Sequence, residues 1–315
     1  MRKLALKVGA VDAPNMARKI QTEPVPYLGG VAIVIGVFVA TYSTVIIESK
    51  NIGLASTVLI PAVAMAAMGL LDDLRGLKPW PRLIAQSVVG VIVAGILIAT
   101  DTIGTPSQIF IVDALVTIIW IVGVCNSINF FDNLDGGAAG TVVVITFFTF
   151  LIAFDRGQLL VSGLSIVTAG ATAGFLIWNR PPAKIYMGDA GALFLGIIVA
   201  VLTIRLQPNI HPTWKSLSIP LFLMAVPLLD TTVAVTSRLA RGISPFTGGR
   251  DHLSHRLMRK GMHRRTAAIA LWALAGVYGT IAFAIYKGQS TALIALAAIT
   301  WAYLFLFFIR IPHTD

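Results

Sequence analysis

Residues Cys125 to Gly140 read CNSINFFDNLDGGAAG, set between two apolar runs, Ile109 to Val124 before and Thr141 to Phe154 after. Two amides, Asn126 and Asn129, and two carboxylates, Asp132 and Asp135, therefore stand where a membrane segment ends. A helix continued as far as Asp135 stacks all four along one side at three-residue intervals. The following Gly136-Gly137 and Ala138-Ala139 carry no bulk, which admits a ligand or a second backbone.

Working outward, the 315 residues are 57% hydrophobic and 12% charged, with a mean hydropathy of +0.84. That composition excludes an ordinary soluble domain and predicts an all-α, polytopic helical bundle forming a single membrane domain over residues 1–315. Roughly 20 apolar residues span a bilayer. Ten stretches approach this: Tyr27–Ile47, Leu54–Leu71, Leu83–Thr100, Ile109–Cys125, Gly140–Phe154, Leu160–Trp178, Ala190–Ile204, Ser216–Val235, Thr266–Tyr286 and Thr291–Ile309.

The net charge of +10 is read here by loop, not as a sign of nucleic-acid binding. With the N-terminus in the cytoplasm, alternate loops divide the Lys and Arg residues 19 to 5 in favour of the cytoplasmic side. The richest segments are the N-terminal stretch 1–26 and the loop 236–266. The expected location is the plasma membrane, multi-pass, with membrane lipids as partners. Cys125 is the one cysteine, so no internal disulfide forms. Residues 1–21 lack the apolar core of a secretory signal.

Each polar feature has a structural reading beside its functional one. Asp72-Asp73 is an acidic helix end, or a pair in which one carboxylate keeps its proton unless a cation lies between them. Asp189, after Pro181-Pro182, is an N-cap or a ligand at the start of the seventh span. Asp230 lies within a span and is expected to be satisfied by Arg238 or a neighbouring helix. In the loop HLSHRLMR, His252, His255, Arg256 and Arg259 share one face and Leu253 and Leu257 another, which suits an interfacial helix binding phosphate or anionic lipid. Residues 1–26, with prolines at 14, 24 and 26, are turn-rich and extended or simply a solvated basic tail.

Taken together, the cytoplasmic ends collect Asp72, Asp73, Asn126, Asn129, Asp132, Asp135, Asn179, Asp189, His252 and His255. Packing explains such a cluster poorly. Hard oxygen donors suit Mg²⁺, or Mn²⁺, which takes one or two carboxylates and leaves room for phosphate oxygens. Phosphoryl transfer at the membrane surface is the implied chemistry.

At this point the chain resembles the polyprenyl-phosphate N-acetylhexosamine-1-phosphate transferase family, which includes the peptidoglycan translocase I enzymes. The matching pieces are DAPNMARKIQTEPVPYLGG, GLLDD, NSINFFDNLDGGAAG, NRPPAKIYMGDAG and PFTGGRDHLSHRL, in the family's order. The resemblance implies transfer of a sugar 1-phosphate from a UDP-N-acetylhexosamine to undecaprenyl or decaprenyl phosphate, with release of UMP, initiating cell-wall or surface glycan synthesis. It also implies Asp189 as the magnesium ligand and Asp72 and Asp73 as the central aspartates, with Asp72 the base. Asn126, Asn129, Asp132, Asp135, Asn179, Tyr186 and Arg256 are implied on the substrate side. The loop of His252 and His255 then lies near the diphosphate and sugar.

The match has departures. Ser254 replaces a frequent histidine, Gln21 a histidine, and Asn133 the glycine of Asp-Gly-Leu-Asp-Gly. The Ser254→His substitution is expected to be tolerated. The family's first span also precedes its Asp-x-Pro segment, whereas this chain begins almost there, so one span fewer or an earlier start is expected. N-acetylglucosamine is the expected donor sugar, from the His-x-x-His-Arg loop. A phospho-MurNAc-pentapeptide transferase, a cation-coupled secondary transporter and an inactive scaffold remain as alternatives, and the oligomeric state is open.

Overall fold

The computed structural model describes residues 1–7, 9–12, 25–48, 52–104 and 106–312. Gln21 and most of DAPNMARKIQTEPV lie outside the described residues. The chain runs α1 (Arg2–Lys7), β1 (Val11–Asp12), β2 (Val25–Pro26), α2 (Gly29–Glu48), α3 (Ile52–Arg75), α4 (Pro79–Ala99), α5 (Phe110–Phe131), α6 (Gly137–Asp155) and α7 (Leu159–Asn179). It continues through α8 (Gly188–Ile204), α9 (Thr213–Leu223), α10 (Ala225–Ala240), α11 (Leu253–Arg259), α12 (Arg264–Gly288) and α13 (Thr291–Ile309). The strands form one short antiparallel ladder, with Val11 opposite Pro26.

Seven helices, α3 to α7, α12 and α13, are long and apolar enough to cross a membrane. The pair α9 and α10 makes an eighth if its 74° bend is read as one broken span. Pro220 and Pro227 flank the break, where missing N–H donors and ring clashes interrupt the helical ladder. Helices α2 and α8 are shorter apolar helices. Length and composition thus support seven or eight crossings where ten were expected. For α8 the reason is its position: Ala190 to Ile204 is buried on every side, so other helices surround it and its length need not match the bilayer. The outer helices show the opposite pattern, with Ile84, Val88, Ile111, Leu115 and Ile119 of α4 and α5 turned outward, as lipid-facing positions require.

Without a hydrophobic drive between helices in lipid, close packing relies on small residues. Gly69 of α3 shows this best: a Cβ there would stand 2.4 Å from the backbone oxygen of Asp189. The contact holds α3 against the start of α8, and the functional carboxylates lie at that contact. Helix α5 stops at Phe131, with Asp132 as its C-cap at φ −78° and ψ 54°. Asp135 is therefore not on a continuous helical stripe with Asn126 and Asn129. Gly136, at φ +68°, turns the chain into α6. The small residues after it serve packing, since Ala138 and Ala139 are fully buried and the Gly136 carbonyl accepts from the Trp272 indole N–H at 3.0 Å.

Candidate active site

One end of the bundle gathers the ends of α3, α5, α7, α10 and α13 and the starts of α2, α4, α6, α8 and α12. At its centre Arg82, in the first turn of α4, directs one guanidinium nitrogen, Nη1, at two carboxylates. It lies 2.9 Å from Asp72 Oδ2 and 2.9 Å from Asp189 Oδ2. The Leu77 N–H also donates to Asp72 Oδ1 at 2.7 Å. Asn129 donates its amide to Asp189 Oδ1 at 2.7 Å.

The adjacent aspartates diverge. Asp73 accepts the N–H groups of Asp189 at 2.9 Å and Ala190 at 3.1 Å. It therefore caps α8 from another helix, supplying acceptors for donors that lack partners in the first turn. Asp189 is not the cap; its carboxylate stays turned towards Arg82 and Asn129. Repulsion between Asp72 and Asp73 is relieved by a guanidinium on one side and a helix N-terminus on the other.

Asp132 accepts no hydrogen bond from a described residue. Desolvation, with Asp189, Asp73 and Asp135 adding their charges, pushes its pKa up to about 7. Asp135 instead accepts the Ala183 N–H at 3.0 Å, and its pKa is also raised, chiefly by desolvation. Asn179 is a staple between loops: its Oδ1 accepts the Gly136 N–H at 3.0 Å and its Nδ2 donates to Ile185 O at 2.9 Å. Asn126 faces α4, donating to buried Gln86 and to Val122 O, and so stands apart from the carboxylates. The backbone of Tyr186 accepts from Gly29 N at 3.0 Å and donates to Pro26 O at 2.8 Å, strapping the entry of α2 to the loop before α8.

The basic loop folds over this end. Asp230 is satisfied by His252, not by Arg238: its Oδ2 is 2.7 Å from His252 Nδ1, and its Oδ1 accepts the Leu253 N–H at 2.7 Å. Arg238 lies 3.1 Å from His252 Nε2 and 3.0 Å from Asp251 Oδ2. A guanidinium can only donate, so His252 Nε2 accepts and Nδ1 carries the hydrogen facing Asp230. Arg256, 0% exposed, donates to the carbonyls of Phe308 at 2.7 Å, Ile311 at 2.6 Å and Asp251 at 2.7 Å, and to Ser237 Oγ at 2.8 Å. Its donors are committed to tying α11 to the end of α13. His255 is half-buried and makes no hydrogen bond to a described residue; desolvation, helped by His252, pushes its pKa down to about 4. Buried Nε and Nη1 of Arg259 also lack partners among the described residues.

Among the described residues no three carboxylate, imidazole or thiol groups converge as a complete metal cage. The donor chemistry nevertheless fits Mg²⁺. Asp72 and Asp189 converge on a cation, the Arg82 guanidinium, and Mg²⁺ needs only one or two carboxylates when phosphate and water complete its shell. Arg82 had no signal in sequence beyond a basic residue near the acidic pair. Gln86 and Phe130 likewise became visible only through their contacts.

Residues 55–207 match the family model described as Glycosyl transferase family 4. The probable undecaprenyl-phosphate N-acetylglucosaminyl 1-phosphate transferase of Bacillus subtilis is 30% identical across 99% of this chain and 84% of its own length. The decaprenyl-phosphate N-acetylglucosaminephosphotransferase of Mycolicibacterium smegmatis is 30% identical across 96% and 82%. A phospho-N-acetylmuramoyl-pentapeptide-transferase of Streptococcus thermophilus is 33% identical across 49% of this chain and 50% of its own.

Proposed function

We propose, from the premise that the chain belongs to glycosyl transferase family 4, that it transfers N-acetylglucosamine 1-phosphate from UDP-N-acetylglucosamine to a polyprenyl phosphate. The near-full-length likeness to the N-acetylglucosamine-phosphate transferases favours this over the pentapeptide transferase, whose likeness covers half the chain. A secondary transporter fits less well, because the carboxylates crowd at one end of the bundle and not at its midplane. The observation that carries the reading is the Arg82 bridge between buried Asp72 and half-buried Asp189, which sets a cation between two carboxylates where two phosphorylated substrates must meet.

The chain's residues divide the work as follows. Asp72 accepts the proton of the lipid phosphate, whose oxygen then attacks the β-phosphorus of the donor. The bond from that phosphorus to the bridging oxygen breaks and UMP leaves, with no covalent enzyme intermediate. Asp73, by capping α8, fixes where Asp189 stands. Arg82, released from the carboxylates, and Arg259, with unused donors, contact phosphate oxygens. His255, held neutral, meets the sugar diphosphate as a hydrogen-bonding partner. Asn129 and Asp132 line the donor side. A bound Mg²⁺, or Mn²⁺, would be held by Asp189 and would neutralise phosphate charge.

In this reading α2 and α8 complete ten passes, and the carboxylate end faces the cytoplasm, as the 19 to 5 division of basic residues supports. The test is UMP release and mass-spectrometric detection of the lipid diphosphate sugar, using the full chain in detergent with UDP-N-acetylglucosamine, polyprenyl phosphate and Mg²⁺. Product from a UDP-MurNAc-pentapeptide alone, or none from either donor, refutes the proposal.

A further inference from the structure

We infer that Ser254 and Asn133 form a latch that positions His255 against the carboxylate end of α5. The Ser254 hydroxyl donates to Asn133 Oδ1 across 121 residues of sequence, and Ser254 is only 1% exposed. Asn133 in turn donates its amide to Phe130 O at 2.8 Å, so both ends of its side chain are engaged. The Phe130 ring then meets His252 in a T-shaped contact at 6.3 Å between centroids, and the Arg238 guanidinium lies 5.6 Å from the Phe130 ring centre. The end of α5 and the start of α11 therefore form one packed unit.

Two neighbours give the latch its consequence. Asn133 follows Asp132 directly, and Ser254 precedes His255. Helix α11 has seven residues, too few to hold its own conformation, so tertiary ties set its place. Asp230 and Arg256 tie it to α10 and α13. Among the described residues the Ser254 to Asn133 contact is the one side-chain hydrogen bond joining α11 to the α5–α6 loop.

Ser254 and Asn133 are also two of the positions at which the motifs depart from the family pattern of histidine and glycine. The two departures are in direct contact, an amide beside a small hydroxyl. An imidazole at position 254 would enter a buried place already faced by Asn133. On this inference Ser254→His alone should crowd Asn133 and lower turnover, against the tolerance the sequence suggested.

The positioning role rests on the proposed transferase reading, and the test separates the two. The full chain in detergent is compared as wild type, Ser254→Ala, Asn133→Ala, the double variant and Ser254→Thr. The readouts are kcat and KM with UDP-N-acetylglucosamine and polyprenyl phosphate, together with hydrogen exchange of segments 130–137 and 250–262. Each alanine variant should lower kcat by about five- to twenty-fold, with a smaller change in KM: Ser254→Ala loses the latch bond alone, and Asn133→Ala loses it together with the bond to Phe130 O. The double variant should fall no further than the worse single one, and Ser254→Thr should stay within about two-fold of wild type because it keeps the hydroxyl. Exchange should quicken in both segments for either alanine variant. Losses that multiply in the double variant, or singles indistinguishable from wild type in exchange, overturn the latch. A wild type that makes no UMP fails the functional reading, and exchange alone then decides whether the two loops are latched.

Discussion

The sharpest consequence of the geometry is that adjacent aspartates should fail differently when neutralised. Asp73 accepts two backbone N–H groups at the start of α8, at 2.9 and 3.1 Å. In Asp73→Asn one oxygen becomes an amide donor facing a backbone donor, so one of those bonds is lost and the other loses its charge assistance. A lost hydrogen bond to a charged group costs about 1.5–3 kcal/mol, and removing a negative charge from a helix N-terminus costs about 0.3–1 kcal/mol more. Relief of the desolvation of a part-buried charge, and of its repulsion towards Asp189, offsets part of this, leaving a net loss of about 1–2 kcal/mol, which should lower the melting temperature by roughly 2–4 °C. Asp72→Asn keeps an oxygen for the Leu77 N–H and leaves Arg82 paired with Asp189, so it should melt within about 1–2 °C of wild type while suppressing turnover. Thermal unfolding in one detergent at one scan rate, followed by intrinsic fluorescence and repeated with the assay for UMP, measures both effects. An Asp73→Asn protein that melts at or above wild type, or below which Asp72→Asn melts, refutes the capping assignment.

Three further outcomes follow from the same contacts. Gly69→Ala brings a Cβ within 2.4 Å of the Asp189 backbone oxygen, so α3 and α8 must part; overpacking costs about 1–3 kcal/mol, and turnover should fall more than thermal stability. Normal turnover in that variant would show that the helix contact does not set the site. The His255 pKa falls from the usual 6.5 to about 4 in the fold, so the unfolded chain binds more protons between these values. Stability should therefore decline as pH falls from 6.5 towards 4; unfolding profiles of His255→Gln should decline less over that window, and identical profiles would discount the burial of this imidazole. Cys125 is fully buried, so single cysteines introduced at Lys260 and Lys287 report cleanly on topology. Impermeant reagent should reach position 287 in intact cells and position 260 only after permeabilisation, and the reverse would invert the proposed orientation.

Much of the membrane architecture is legible in composition and periodicity, because apolar stretches must satisfy their backbone groups internally and so become helices. Each expected span falls on helix, although the one from Ser216 to Val235 is broken at Met224, and the clustered carboxylates of the motifs do collect at one end. The division of roles among those residues depends on contacts between distant segments, and no local pattern carries that information. Asp72 and Asp73 look equivalent in sequence, yet α8 starts beside one and Arg82 beside the other. Asp189 reads as an N-cap until Asp73 is seen to fill that place. Asn126 and Asn129 are one helical turn apart, yet one meets Gln86 and the other Asp189. Arg256 reads as a phosphate contact, but the carbonyls at the end of α13 absorb its donors. Local spacing determines which side chains share a face; what that face meets, and which hydrogen bonds are already taken, is decided only when the helices pack.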